Sequence, residues 1–455
     1  IVQSQFCSVS LVKLQYIYIQ NNDDVPSANA FYLLVSIVQL RKENQLIYPF
    51  KDRHMTETTK QFDIIVYGAT SFVGQIMLEY LASYKDETIS WAVAGRNEQK
   101  LLDAKQANNL EHIPHIIADA DDEAALTAMC NQTNVVISTV GPYALYGETL
   151  VKVCAQTGTD YCDLTGEPQW IKAMLDKYED TAKASGARII NSAGFDSIPS
   201  DLGVYALQQH ALATTDKPAF HIKMRVRRIK GGASGGTIAS MLNVVEEAGK
   251  NPALRKLLVN PYVLCPEDHP FKQYQTNHKK AQFEEDTQMW IMPFIMAAIN
   301  ERIVHRTNAL LDNRYGEHFL YDEAMSAKKG LQAWGMTLGL GAFMVGASIK
   351  PIRNLLAKHI LPKPGEGPSK HEQLNGMFDM RFYTTLDNGD KATVKVCGDR
   401  DPGYGSTAKM LTQAALCLAK DAPEVAGGFW TPAAALNDKL IARLAKHAGV
   451  TVELI

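Results

Sequence analysis

No CxxC pair occurs among the seven cysteines, Cys7, Cys130, Cys154, Cys162, Cys265, Cys397 and Cys417. Their number is odd and their spacing scattered, which excludes a disulfide scaffold and points to reduced thiols in a cytoplasmic protein. The histidines lack metal-ligand spacing, so no metal is expected. Charge of neither sign dominates: 46 Lys+Arg stand against 49 Asp+Glu, the net charge is −3, and nothing global attracts nucleic acid. Glycine (31) and proline (19) are too few for collagen-like repeats, and 46% hydrophobic residues exclude global disorder. What remains is an ordinary globular composition, long enough for two or three domains of roughly 150 residues each.

The first 54 residues hold apolar runs such as Phe31 to Val38 with no sustained period and no basic stretch before them, a poor fit to a secretory signal. Met55 opens MTETTKQFDIIVYGAT, a polar tail entering a strand. Residues 1–54 are therefore expected to be a non-native or disordered leader.

Phe62 to Tyr67 reads as a buried strand, Gly68-Ala-Thr-Ser-Phe-Val-Gly74 as a turn, and Gln75 to Tyr84 as a helix. That order suits a phosphate-binding βα unit: Gly68 permits the turn, Gly74 permits close packing, and Thr70, Ser71, Phe72 and Val73 lead into the helix start that faces a pyrophosphate. Ser71 replaces the middle glycine of a GxxGxxG turn, and its hydroxyl could bond a phosphate. A second strand, Ile89 to Ala94, ends in Gly95-Arg96. An acid at this place would take a ribose 2′-hydroxyl, whereas a guanidinium suits a 2′-phosphate, so NADP is the expected cofactor. A third strand, His115 to Ala118, puts Asp119 near an adenine. A fourth, Asn134 to Thr139, runs into Val140-Gly141-Pro142-Tyr143, a break on the edge where open α/β sheets bind ligands. Further strands at Asp160 to Leu164 and Ala187 to Ser192, alternating with helices, give an α/β class with a Rossmann-type doubly wound parallel sheet over residues 55–215.

Several longer stretches are recognisable. STVGPYALYGETLVKVCAQTGTDYCDLTGEPQW and IINSAGFDSIPSDLG resemble the saccharopine-dehydrogenase-like oxidoreductases. PFIMAAINERIVHRTNALL, PGEGPS, GDRDPGYGSTAKML and GGFWTPAAAL are more narrowly similar to the bacterial trans-acting enoyl reductases. The resemblance runs from Phe62 to the C-terminus. It implies an NADP-binding Rossmann domain, a second α+β domain over 216–395 for substrate and dimer contacts, and a return of 396–455 onto the nucleotide domain. It also implies a place in lipid or glycolipid synthesis.

In the second half, Gly231-Gly-Ala-Ser-Gly-Gly236 is a glycine-rich turn, read either as another phosphate loop or as a loop over the site's mouth. Gly330 to Ile349 is a run of 20 residues without a charge, bracketed by Lys328-Lys329 and Lys350. At full helical length it reaches roughly 30 Å. Pro351 then opens a small basic amphipathic helix with Ile352, Leu355, Leu356 and Ile360 on one face. The excursion 330–361 is open to three readings: a buried or dimer-interface helix, a dip into a membrane surface, or a span. A homodimer, peripheral membrane association and no nucleic acid are the expected partners.

Enoyl reduction needs a hydride, polarisation of a carbonyl and a proton for the α-carbon. Tyr143 and Tyr146 are the candidate hydroxyl donors, with Glu148 nearby; Tyr143 serves equally to pack a nicotinamide. No Tyr-x-x-x-Lys pair supports a short-chain dehydrogenase mechanism, and no Ser-His-Asp order is seen. Glu167, a catalytic candidate, and Asp196, a substrate candidate, follow strands at the same edge, where carboxylates alternatively hold the ribose or cap the next helix. Asn300, Arg302 and Arg306 lie on a largely apolar helix and either hold a substrate carbonyl or carrier phosphate or anchor an interface. The apolar stretch Met289 to Met296 favours a lipid-like acyl substrate over an amino acid with several carboxylates. The rival readings are a non-catalytic, lipid- or membrane-associated nucleotide-binding scaffold and a saccharopine-type amino-acid dehydrogenase.

Overall fold

The computed structural model describes residues 60–232, 235–359, 367–421 and 423–455; the expected leader 1–54 lies outside them. Two seven-stranded sheets organise the described chain. The first is built from β1 (Phe62–Tyr67), β2 (Trp91–Gly95), β3 (His115–Ile117), β4 (Thr133–Ser138), β5 (Asp160–Asp163) and β6 (Arg188–Ile190). All pair in parallel, in the order 6-5-4-1-2-3. The reason is visible in β1. Ile64 and Val66 belong to one buried cluster with Met77, Leu78, Met410 and Leu411; Ile65 and Tyr67, on the alternate face, belong to another with Leu150, Val151 and Trp170. A strand covered on both faces must be apolar at nearly every position, which is the doubly wound arrangement.

The second sheet contains β7 (His221–Lys230), β8 (Gln282–Glu284), β9 (Met289–Met292), β10 (Leu320–Ala327), β11 (Met377–Thr385) and β12 (Lys391–Gly398). β7 and β10 are parallel and the other pairs are antiparallel. The helix Ile198–Thr215 joins the two halves, and its Leu202, Val204 and Leu207 belong to one continuous core with Met224, Phe378, Phe382 and Leu411.

The last 60 residues divide between the sheets, which corrects the expected boundary at 396. The helix Thr407–Lys420 packs on β1, β4 and β5, and β13 (Gly428–Trp430) extends the first sheet beside β6. The final strand, β14 (Val450–Leu454), instead pairs with β12 in the second sheet.

The uncharged run forms one helix, Gly330–Ser348, followed by the helix Lys350–His359. Its first turn is seated by Ala333, buried with Ala281, Met292 and Ala327. The stretch beginning at Met289 starts in β9, where Ile291 and Met292 are buried in the second sheet. Among the described residues no helix is long and apolar enough to cross a membrane.

Candidate functional site

The site starts at the turn between β1 and the helix Phe72–Ser83. Gly68 has φ +89°, and a Cβ there would meet Val140 Cγ2 at 2.6 Å and Thr139 Oγ1 at 2.7 Å, so only glycine fits. Ser71 is the N-cap of the helix: its Oγ accepts from Gly74 N (2.9 Å) and lies 2.8 Å from Thr139 Oγ1. Thr139 Oγ1 in turn donates to Gly68 O at 2.9 Å. The proton order follows: Thr139 donates to the carbonyl, so Ser71 donates to Thr139. The Ser71 hydroxyl therefore ties the turn to β4 and has no proton left for a phosphate, a correction to the sequence expectation. The donors left free at the turn are the backbone N–H groups of Phe72 and Val73, which as the first helical residues have no intrahelical acceptor. Phe72 is held edge-on against Tyr404, with ring centroids 5.1 Å apart. Gly231 and Gly232 lie against Pro402 and Pro368. This second glycine turn joins β7 of the mixed sheet to the helix Gly235–Lys250; its residues 233–234 lie outside the described residues.

At the end of β2, Asn97 caps the helix Glu98–Ala107 through Lys100 N. Arg96 is exposed and, among the described residues, makes no hydrogen bond or ion pair. Asp119 is exposed beyond β3; its carboxylate accepts from Asp121 N (3.2 Å) and its carbonyl from Asp122 N (3.2 Å).

Beyond β4 the chain turns through Gly141 and the cis-linked Pro142 into the single helical turn Tyr143–Tyr146. Here the structure corrects two expected catalytic groups. The Tyr143 phenol is buried, donates to Ser138 O (2.9 Å) and accepts from Leu164 N (3.4 Å), and its ring leans on Trp170. Burial pushes its pKa well up, so it is an internal brace, with neither hydroxyl nor ring open to a ligand. Glu167 is also buried, and its two oxygens accept from Tyr143 N and Ala144 N, each at 3.0 Å. It caps the short helix from a distant loop. Tyr146 is 43% exposed and its hydroxyl has no partner among the described residues. Glu148 faces solvent, paired with Lys177 at 2.7 Å.

Two aspartates follow the next strands. Asp163, which the sequence reading did not single out, closes β5 and is fully buried. It accepts from Thr165 N, Ser192 N, Asn191 Nδ2 and Tyr161 Oη at 2.7–3.1 Å. Burial nonetheless raises its pKa to about 6. Asp196 lies in the loop between β6 and the helix Ile198–Thr215. It does not cap that helix, whose N-cap is Ser197 with no side-chain bond. Asp196 is partly exposed and has no hydrogen-bond partner among the described residues; burial first, then the nearby Asp163 charge, push its pKa up to about 7.

The expected substrate residues of the helix Ala297–Leu310 are committed elsewhere. Asn300 donates to Glu323 Oε2 (2.8 Å) and accepts from Ser197 Oγ (3.2 Å). Arg302 donates to the carbonyls of Ala298 and Leu258. Arg306 donates to those of Leu264 and Phe429. All three are buried and serve to anchor the helix, and their direct role in substrate binding falls away.

Comparison with known proteins settles the family. Residues 64–190 match the saccharopine dehydrogenase NADP binding domain. A trans-acting enoyl reductase of Mycobacterium tuberculosis is 36% identical over 415 residues, covering 88% of this chain and 99% of the relative. One from Mycobacterium leprae is 34% identical over the same shares. This chain belongs to the trans-acting enoyl reductases. They are a branch of the saccharopine-dehydrogenase-like oxidoreductases. A further M. tuberculosis protein, 40% identical over 88% of this chain and 99% of its own, carries the enoyl reductase name provisionally. In fold, the chain is similar to saccharopine dehydrogenase (L-Glu forming) of Saccharomyces cerevisiae, with a TM-score of 0.51 at 15% identity over 87% of this chain and 99% of that one.

As a member of this family the protein is an oxidoreductase with NADP as its cofactor. The residues present fit that group. A tight turn that excludes any Cβ at Gly68, two free N–H groups at a helix start, and an unpaired guanidinium after β2 are the donors that a pyrophosphate and a 2′-phosphate require. On the same edge Asp163 and Glu167 are held by donors, whereas Asp196 is left without one.

Proposed function

We propose that this enoyl reductase family member reduces the carbon–carbon double bond of a lipid-like acyl substrate, uses NADPH in preference to NADH, and serves lipid or glycolipid synthesis. The observation that carries the chemistry is Asp196: an unpartnered carboxyl group at the ligand-binding edge, with a pKa near 7. A proton held there at neutral pH is what the α-carbon needs, and a pKa near the working pH is the favourable value for a general acid. When bound, NADPH supplies the hydride. The chain's part is to seat the phosphates on Phe72 and Val73 N–H, to bind the 2′-phosphate with Arg96, and to deliver the Asp196 proton, which solvent then replaces.

Two observations weigh against the rival readings. A saccharopine-type substrate needs cations for several carboxylates, and Arg302 and Arg306 already hold backbone carbonyls. A non-catalytic scaffold could follow from a degraded nucleotide turn, yet Ser71 keeps the turn closed through Thr139 and Gly74. The test is NADPH oxidation with enoyl thioesters of increasing chain length. Turnover that declines as pH rises through about 7, and that Asp196→Asn cuts by about 100-fold or more, is the expected result. Tight NADPH binding with no turnover on any enoyl thioester would favour the scaffold.

A further inference from the structure

We propose that the helix pair Gly330–Ser348 and Lys350–His359 docks on an anionic lipid surface. The first observation is an outward apolar stripe. Leu331, Trp334, Leu338 and Val345 recur at helical spacing on one face, and they are 88%, 42%, 66% and 62% exposed. The opposite side is seated at its two ends by the buried Ala333 and Ala347, with Met336 and Met344 between them exposed as well. The stripe is about 20 Å long at 1.5 Å per residue, and Ile352 and Leu355 of the following helix are exposed as well. A soluble surface rarely leaves so long an apolar strip bare without a partner.

The second observation is charge. From Ala324 to Gly365 the chain has no Asp or Glu, while it carries Lys328, Lys329, Lys350, Arg353, Lys358 and Lys363. Lys328 and Lys329 are exposed at one end of the long helix and Lys350 at the other. Glu246 on the helix Gly235–Lys250 is already neutralised, by Arg353 at 2.8 Å and by Lys250. A second copy of the chain is a poor occupant. A two-fold contact would press this acid-free, lysine-flanked strip against itself. Anionic headgroups satisfy both features: the stripe enters the acyl boundary, Trp334 sits at the headgroup level, and the lysines meet the phosphates. Each lysine held at such a surface strengthens partitioning by about fivefold. Surface chemistry carries this inference independently of catalysis, and it would bring the protein to the phase that dissolves an acyl chain.

The test is flotation of the full chain with vesicles of phosphatidylcholine alone and of phosphatidylcholine with phosphatidylserine. The expected result is binding to the anionic vesicles that is at least about tenfold stronger than to the neutral ones. The double variant Leu338→Asp/Val345→Asp, at exposed positions, should lose about tenfold or more, and Lys328→Glu/Lys329→Glu a similar factor, with unchanged melting temperatures. Failure of the wild type to float with anionic vesicles overturns the proposal, as does equal binding by the variants. A solution dimer that Leu338→Asp/Val345→Asp dissociates would overturn it in favour of a second copy.

Discussion

The helix Ala297–Leu310 and the carboxyl edge of the parallel sheet hold similar polar residues and use them oppositely. On the helix, Asn300, Arg302 and Arg306 are buried and each donates to a protein acceptor, with the buried Arg302 Nε left without a partner among the described residues. On the edge, Arg96 and Asp196 are reachable from solvent and hydrogen-bonded to nothing among the described residues. A buried polar group must be satisfied within the fold, and once satisfied it has little left for a ligand. A group without a protein partner beside a nucleotide-binding turn keeps its bonding capacity for what it binds or transfers. The comparison separates anchors from working groups, and substitutions in the two sets should behave differently.

The largest effect is expected at an anchor. Arg306→Ala removes two charge-assisted bonds and leaves the carbonyls of Leu264 and Phe429 without that donor in a buried place. Chemical denaturation should show a loss of about 3–6 kcal/mol. If the folded fraction that remains binds NADPH as tightly as wild type, the anchor assignment holds; a selective loss of cofactor or substrate affinity at unchanged stability would return Arg306 to the site.

Asp196→Asn should do the reverse, with turnover lost and stability kept. The sign follows from its pKa, raised from 3.8 to about 7 in the folded chain. Between those values the folded protein keeps a proton that the unfolded chain has released. Stability from this group is therefore present at low pH and lost as pH rises through the window. Asparagine cannot ionise, so near pH 8 the variant should be at least as stable as wild type, and the slope of stability against pH should flatten. Asp201 and Glu323, each also near 7, add slopes of the same sign and remain in the variant. An Asp196→Asn protein that melts well below wild type at pH 8 would make Asp196 an anchor after all.

How much of this was legible in the sequence depends on whether a residue's partners are near in the chain. The turn at Gly68, the strand β1 and the guanidinium after β2 are local patterns, and the structure places them as the sequence predicts. Glu167 was misread because its partners, Tyr143 N and Ala144 N, belong to a loop over 20 residues earlier that only strand adjacency brings close. Asp163 was overlooked for the same reason: two of its donors, Asn191 and Ser192, follow the neighbouring strand. Arg302 and Arg306 were ambiguous because sequence shows that a helix carries arginines but not which carbonyls pack against it. The C-terminal chain was expected on the nucleotide domain, yet β14 is needed to extend the second sheet beyond β12.

Arg96 offers a smaller, cleaner effect. As an unpaired side chain it has no structural bond to lose, so Arg96→Ala should leave the melting temperature unchanged. A charge-assisted bond to the 2′-phosphate would be absent, lowering NADPH affinity by about 1.5–3 kcal/mol in a nicotinamide energy-transfer titration. NADH affinity should not move. Equal affinity of the wild type for the two cofactors would remove Arg96 from the working set.

The smallest effect is expected at Ser71, which stands between the two classes: it lies at the phosphate turn but its hydroxyl is fully engaged. Ser71→Gly restores the middle glycine of the turn, and glycine is a tolerable N-cap, so stability should fall by only a few tenths of a kcal/mol. Ser71→Ala keeps a side chain but removes the cap on Gly74 N and the link to Thr139, and should cost about 1 kcal/mol. In both variants the N–H groups of Phe72 and Val73 remain, so NADPH affinity should change by less than about twofold if those backbone donors carry the phosphate. A loss of tenfold or more in Ser71→Gly, about 1.4 kcal/mol, would mean that the hydroxyl turns from Thr139 to the pyrophosphate when the cofactor arrives. Ser71 would then be a working group that rests as an anchor, and the line between the two sets would have to be drawn in the bound state.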